Sequence, residues 1–268
     1  MVAGLSSRFG GKPKAFAQVG PNDETLMDIS LSQSIEGGAE KVIFIVSKAT
    51  EQMFKGRYGN SFKGIPISYA IQQFDSVTRD KPWGTADAVV SALDFIEDNE
   101  KFIVCNGDDI YGKSIFKSLI DFNKTQPADE GVTIGYKLNE VLSDVGDVNR
   151  GIYEIENNYV TGIEETFKLN KANSGNSTAL CSQNIFLLTK KHLIELKKKL
   201  EEFKLKNMNS RTAECLLPKE INDLIKEKKI KMQILPATEQ WYGLTYPDDA
   251  IWLKKVFAEK NKIKNKDY

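Results

Sequence analysis

Histidine is almost absent from this 268-residue chain: His192 is the only one, set in the lysine-rich run Thr189-Lys190-Lys191-His192. That excludes a histidine-built metal site and argues against Ser-His or Cys-His nucleophilic catalysis. Cysteine is scarce too. Cys105, Cys181 and Cys215 lie far apart without CxxC spacing, so neither a disulfide framework nor a thiolate zinc site is suggested. Cys105 stands in an apolar run and reads as a small buried hydrophobe. No long apolar run is present, so a membrane partner is not expected and a cytoplasmic location is the default reading. The sequons Asn123-Lys124-Thr125 and Asn176-Ser177-Thr178 carry no weight without a secretory signal. An excess of one charge is also missing: 37 Lys and Arg balance 37 Asp and Glu. A neutral chain is a poor partner for nucleic acid, whereas a small anionic substrate needs only a local positive cluster. Any catalysis must therefore run on carboxylates, lysine, arginine, backbone amides and a hard cation.

What is present is an alternation. Lys41–Ser47, Ile65–Ile71 and Lys101–Cys105 are short, β-branched apolar runs that read as strands. Between and after them, 85–97 and 114–123 carry apolar residues at helical spacing. From about residue 130 the rhythm shifts to strands at 132–138, 151–156, 159–164 and 179–188, with Asn157-Asn158 as a hairpin turn. Helices at 189–204 and 212–228, a strand at 231–236 and a helix from Pro247 to about 260 complete the pattern. Such alternation predicts an α/β fold, with a Rossmann-like, mostly parallel mixed sheet flanked by helices. No repeat or long linker divides the chain. One domain over 1–268 is expected, with a nucleotide-binding half (about 1–130), an acceptor-binding half (about 131–260) and a polar tail (261–268).

The most informative stretch is Ala3-Gly4-Leu5-Ser6-Ser7-Arg8-Phe9-Gly10-Gly11-Lys12-Pro13-Lys14. Small residues at Ala3, Gly4, Ser6 and Ser7 let a backbone approach phosphate oxygens closely, and Arg8 and Lys14 add fixed positive charge. Neither GxxxxGK[ST] nor GxGxxG is present. This loop resembles the A-G-x-[GS]-x-R-[FLM]…P-K signature of the nucleotidyltransferase superfamily that includes the sugar-nucleotide pyrophosphorylases. Three further blocks follow in the family's order. Lys81-Pro82-Trp83-Gly84-Thr85-Ala86 is similar to its "PLGTA" block, and Asn106-Gly107-Asp108 to its strand-end "GD". Gln240-Trp241-Tyr242-Gly243-Leu244-Thr245-Tyr246-Pro247-Asp248-Asp249 resembles the closing block of one branch.

The resemblance implies the sugar-nucleotide transferase type of fold and an activity. An NTP is coupled to a sugar 1-phosphate or similar phosphorylated acceptor, with Mg²⁺, and pyrophosphate is released. It implies that Ala3, Gly4, Ser6 and Ser7 cradle phosphates while Arg8 and Lys14 stabilise charge during transfer. Gln72 matches a base-reading glutamine, which favours UTP, dTTP or CTP, although the adjacent Gln73 leaves the register open. Gly84 and Thr85 would lie against the nucleoside, with Thr85 able to cap the helix that follows. Asp108 is the expected magnesium ligand, and Asp109 is a second candidate.

Departures from the pattern are clear. Where many relatives place a second metal aspartate, this chain has Tyr242 or Gly243, so either Glu239 or Asp248 substitutes or one protein carboxylate holds the ion together with phosphates and waters. The acceptor half carries Asn149-Arg150-Gly151 and Glu164-Glu165, but Thr166 stands where relatives have lysine. Arg150 or Lys168 would then supply the acceptor-site charge. Only Met1-Val2 precede Ala3-Gly4, so the first strand is very short or the protein begins a few residues upstream. Two other readings remain: a catalytically weak nucleotide-binding or regulatory protein of the same fold, and a metal-dependent glycosyltransferase. The second would favour a D-x-D spacing that Asp108-Asp109-Ile110 lacks. The oligomeric state is not legible.

Overall fold

The computed structural model describes residues 1–3, 13–125, 127, 129–143, 146–175, 178–244 and 247–264, with the backbone alone for 247, 248 and 260–264. Its elements run α1 (Leu26–Glu36), β1 (Val42–Ser47), α2 (Glu51–Tyr58), β2 (Ser61–Phe62), β3 (Ile65–Gln72), α3 (Thr85–Val90), β4 (Lys101–Val104), β5 (Asp109–Ile110) and α4 (Lys113–Asn123). There follow β6 (Gly131–Lys137), β7 (Val148–Glu156), β8 (Tyr159–Leu169), β9 (Leu180–Cys181), β10 (Phe186–Thr189), α5 (Lys190–Lys206), α6 (Leu217–Lys226), β11 (Met232–Pro236), β12 (Tyr242–Gly243) and α7 (Pro247–Lys264).

The result is a mixed α/β sheet flanked by helices; instead of the mostly parallel pairing expected, only β1–β3 and β6–β11 are parallel among the described strand pairs. Strands β4, β10, β6 and β11 lie side by side, and the β7–β8 hairpin joins them through β9 and β11. The β6–β11 pair is parallel, while β10 runs antiparallel to both β4 and β6. A separate three-stranded sheet has the order β1-β3-β2, with β1 and β3 parallel. Residue alternation shows why the large sheet has two covered faces. On β10, Phe186 and Leu188 join Leu193, Leu196 and Leu200 of α5 and Ile221 and Leu224 of α6. Leu187 points the other way, into the cluster with Ile115, Phe116 and Leu119 of α4. Fully burying each such side chain contributes roughly 1.5–3 kcal/mol.

Local chemistry fixes the ends. Thr25 and Asp28 form a reciprocal capping box on α1, a device whose loss costs about 1 kcal/mol. Asn157 and Asn158 both have positive φ (51° and 65°) and turn β7 into β8, as a two-residue hairpin loop requires. The β7–β8 hairpin is longer than the sequence reading, from Val148 to Leu169, and three other elements are cut short, split or shifted. The helix expected over 85–97 stops at Val90 and passes into a 3-10 turn at Leu93–Phe95. The strand expected over 179–188 is two strands separated by Ser182–Ile185, where Asn184 takes a φ of 57°. The helix expected from 212 begins at Leu217, because the segment ahead of it is bonded to the α3 loop: Cys215 N–H donates to the Trp83 carbonyl at 2.7 Å. Among the described residues no helix is long and apolar enough to cross a membrane.

Candidate active site

Two segments far apart in sequence meet first. β5 pairs antiparallel with β12, placing Gly243 opposite Asp109 and Tyr242 opposite Ile110. This ribbon joins the turn carrying Asp108 to the closing block of the chain. Lys14, in the 3-10 turn Lys14–Phe16, reaches both sides of it. Its Nζ pairs with Asp108 Oδ2 at 2.8 Å and donates to the Leu244 carbonyl at 2.6 Å. Burial works against that ammonium, but the charges of Asp108 and Asp109 outweigh it and raise its pKa. Lys14 therefore remains charged at neutral pH.

Asp109 is buried, and its Oδ2 accepts from Asn106 Nδ2 at 2.9 Å and from the Tyr111 hydroxyl at 3.3 Å. Burial, reinforced by the neighbouring Asp108 charge, pushes its pKa up to about 6. Its Oδ1 faces Gly243. A Cβ at Gly243 would stand 2.9 Å from that oxygen and 2.4 Å from the Trp241 ring. There is thus no room for a side chain at Gly243, because the Asp109 carboxylate and the indole fill the space.

Arg150 approaches from β7. Its Nη1 donates to the Asn149 carbonyl at 2.9 Å and its Nη2 to the Val141 carbonyl at 2.8 Å. The guanidinium carbon lies 5.3 Å from the centre of the Trp241 ring. Arg150 Nε and Trp241 Nε1 are both buried with no hydrogen-bond partner among the described residues. Each such orphaned donor costs about 1–3 kcal/mol if nothing accepts from it. Burial lowers the Arg150 pKa, opposed by Cys181, Asp109 and Glu165. Burial likewise raises the pKa of Glu165, with Arg150 opposing.

The other expected site residues are placed as follows. Ala3 is half-buried at the start of the chain, while Gly4, Ser6, Ser7 and Arg8 lie outside the described residues. Gln72 points inward: its Nε2 donates to the Gly84 carbonyl at 2.9 Å and to Asp87 Oδ2 at 2.8 Å, whereas Gln73 is exposed. Gly84 (φ 96°) caps α3, and a Cβ there would lie 2.5 Å from the Cys215 carbonyl oxygen. Only glycine fits. Thr85 does not cap its own helix; its Oγ1 accepts from Leu217 N–H at 2.8 Å and so holds the start of α6. Asn149 accepts from Lys168 N–H through Oδ1 at 3.1 Å. A Cβ on Gly151 would lie 3.6 Å from Glu165 Oε2, while Glu164 and Lys168 are exposed.

The metal question turns on the donor set. Adjacent carboxylates at Asp108 and Asp109 fit a hard cation such as Mg²⁺, which commonly keeps several waters and substrate phosphates as ligands. No group of three or more potential protein ligands occurs among the described residues. Glu239 is engaged elsewhere: its Oε1 accepts from Ser114 N–H at 2.6 Å, at the first turn of α4. The Asp248 side chain lies outside the description. Sequence reasoning gave Trp241 no role of its own. The signal was there, since an indole in an otherwise polar block needs a partner for its N–H when buried.

A family model for nucleotidyl transferases matches residues 10–242. The chain belongs to that family. The sequence matches no curated protein. Among solved structures, it is similar to a Bacillus anthracis protein named as a glucose-1-phosphate thymidylyltransferase, with 17% identity and a TM-score of 0.69 over 96% of this chain and 92% of that one. An inositol-1-phosphate CTP transferase from T. maritima shares 16% identity and a TM-score of 0.65, covering 96% of this chain and 94% of the other. A UDP-glucose pyrophosphorylase in complex with UDP-glucose gives 16%, 0.64 and 97% of each chain. At these identities the likeness carries the fold. Lys14, Asp108, Asp109, Arg150 and Trp241 converge around the β5–β12 ribbon.

Proposed function

We propose that this nucleotidyltransferase couples an NTP, with a pyrimidine base favoured, to a sugar 1-phosphate or similar phosphorylated acceptor. An NDP-sugar and pyrophosphate are the products. The observation that carries the reading is the convergence of Lys14 and Asp108 with the buried Arg150 and Trp241 donors that have no partner among the described residues, drawn from four separate stretches of chain.

A phosphate oxygen of the acceptor attacks the α-phosphorus in line as pyrophosphate departs. That nucleophile is already ionised at neutral pH, so no general base is needed and catalysis reduces to positioning and charge stabilisation. Lys14 offers a fixed positive charge on the triphosphate side. Arg150 Nε and Trp241 Nε1 receive the acceptor phosphate, a role that relatives give to the lysine replaced here by Thr166. Glu165, half-buried beside Gly151, would take acceptor hydroxyls. Asp108 and Asp109 would hold Mg²⁺, which supplies charge neutralisation for the phosphates when bound.

The histidine supports this scheme by its place. His192 Nε2 bonds the Asp129 carbonyl at 2.9 Å, and its Nδ1 accepts from Thr189 N–H at 3.4 Å, so one neutral tautomer satisfies both contacts. It is a helix-capping residue, far from any proton-transfer duty in sequence and in bonding. The test is pyrophosphate release with Mg²⁺ from four NTPs crossed with sugar 1-phosphates, inositol phosphate and phosphocholine. Release that requires both one NTP and one acceptor supports the reading. NTP binding without release from any pair would favour the regulatory one.

A further inference from the structure

Gln72 ends β3, which runs parallel to β1, so it stands at the carboxyl end of a parallel pair, where α/β sheets receive ligands. The side chain is buried, and its amide is bonded at one end only. Nε2 donates to the Gly84 carbonyl at 2.9 Å and to Asp87 Oδ2 at 2.8 Å. Both partners are acceptors, so the nitrogen of the amide must face them. Turned over, Oε1 would stand against a carbonyl oxygen and a carboxylate oxygen, and both attractions would become repulsions. The amide nitrogen carries two hydrogens, and both are occupied here. The other end is different. Oε1 accepts from no donor among the described residues, yet it is not sealed from solvent as Arg150 Nε and Trp241 Nε1 are.

The residue that fixes this amide is Asp87, in the first turn of α3 and 7% exposed. Its two oxygens are divided. Oδ1 pairs with Lys204 Nζ at 2.6 Å, which leaves Oδ2 for the glutamine. Lys204 comes from the last turn of α5, on the far side of the sequence. The corner around this pair is held firmly. Phe203 meets Trp83 edge-on with ring centres 6.3 Å apart. The buried Arg79 lies over the same indole, its guanidinium carbon 3.3 Å from a ring centre. Arg79 also donates to the Ser210 and Ala213 carbonyls, which clamps the α5–α6 connection to the loop before α3.

We propose that Asp87 sets the base preference of the nucleotide site. By holding the Gln72 amide with its oxygen outward, it leaves a reader that accepts and cannot donate. The matching ligand is a base with an imide N–H, uracil or thymine. Cytosine carries a lone pair at the same ring nitrogen, which an outward oxygen repels. The inference rests on the function proposed above and narrows it, from an NTP with a pyrimidine base to UTP or dTTP. Asp87 is a positioning residue, acting through Gln72.

The experiment reads nucleotide dissociation constants by calorimetry, with Mg²⁺ and no acceptor, so it does not depend on turnover. The parent chain should bind UTP at least tenfold tighter than CTP. It should also bind UTP at least tenfold tighter than UTP methylated at N3, which keeps both carbonyls but lacks the N–H. Asp87→Asn keeps the size of the side chain and reverses the contact. Lys204 takes the new amide oxygen, so the new NH₂ faces Gln72 and requires an acceptor there. The preference for UTP over CTP should fall at least tenfold. Lys204→Met removes the ion pair but leaves the carboxylate against the amide, and should affect both nucleotides alike. An unchanged preference in Asp87→Asn, or an equal loss of preference in Lys204→Met, overturns the proposal. Should Asp87→Asn not fold, the methylated nucleotide decides on the parent chain, and binding as tight as that of UTP overturns it. Nucleotide binding without discrimination refutes this inference alone, whereas no NTP binding at all refutes the proposed function with it.

Discussion

At the scale of single residues, the candidate site is a balance of half-buried charge. Lys14 and Asp108 pair at 2.8 Å, and Lys14 is also tied to the Leu244 carbonyl. Removing either partner leaves the other uncompensated and removes a preorganised group from the transfer step. Lys14→Ala and Asp108→Ala should each lower kcat by roughly two to three orders of magnitude, as loss of one charge-stabilising donor does elsewhere. Steady-state kinetics check this, and a fully active Asp108→Ala protein would contradict the role assigned to it. Trp241 is a subtler case. Trp241→Phe keeps the ring over Gly243 but deletes the open Nε1 donor. It should raise the acceptor KM about tenfold, the equivalent of about 1.4 kcal/mol, and leave the NTP KM unchanged. A variant that alters both equally would show a structural role only.

Elements carry the two predictions that concern stability. α5 begins at a Thr189–His192 cap in which the buried imidazole must accept at Nδ1 and donate at Nε2. Burial lowers the pKa of His192 in the folded state below its usual 6.5. A depressed value means that the unfolded chain takes the proton first. Its stabilising contribution is therefore present above about pH 6.5 and lost as pH falls. His192→Gln should flatten the decline in thermal midpoint between about pH 6.5 and 5 relative to the parent chain. An unchanged profile would exclude the imidazole as its source. α4 has Gly112 at its cap and borrows Glu239 for the Ser114 N–H. Glu239→Gln should cost up to about 1 kcal/mol of stability and leave the magnesium dependence of turnover unaltered. A shift in that dependence would instead make Glu239 a metal ligand.

These elements also show what could be read in advance. The buried strands and amphipathic helices were legible because their periodicities are local: β1, β3, β6 and α4 fall within a residue or two of the expected spans. Long-range bonds decided the rest. The start of α6 was misplaced because residues 211–215 are held by the α3 loop, through Asp80 N–H to the Arg211 carbonyl and Cys215 N–H to the Trp83 carbonyl. Pro218 in the first turn of α6 was the local signal for the true start. In the candidate site, motif resemblance singled out Lys14 and Asp108, which the structure pairs. The Asp109–Gly243 pairing was not, because it depends on which residues of two distant strands face each other.

Across the whole molecule, both halves of the chain contribute to the cluster on which the proposed function rests. The first supplies Lys14, Asp108 and Asp109, and the second supplies Arg150 and Trp241. The β5–β12 ribbon and the β7 strand bring them together. The central claim is that the acceptor's own phosphate is the nucleophile. It is tested most directly by ³¹P NMR of the protein with Mg²⁺, UTP or dTTP, and a hexose 1-phosphate. The account predicts pyrophosphate together with a diphosphodiester whose β-phosphorus comes from the acceptor, both lost in Lys14→Ala. Nucleoside monophosphate or diphosphate formed without that coupled product would contradict it.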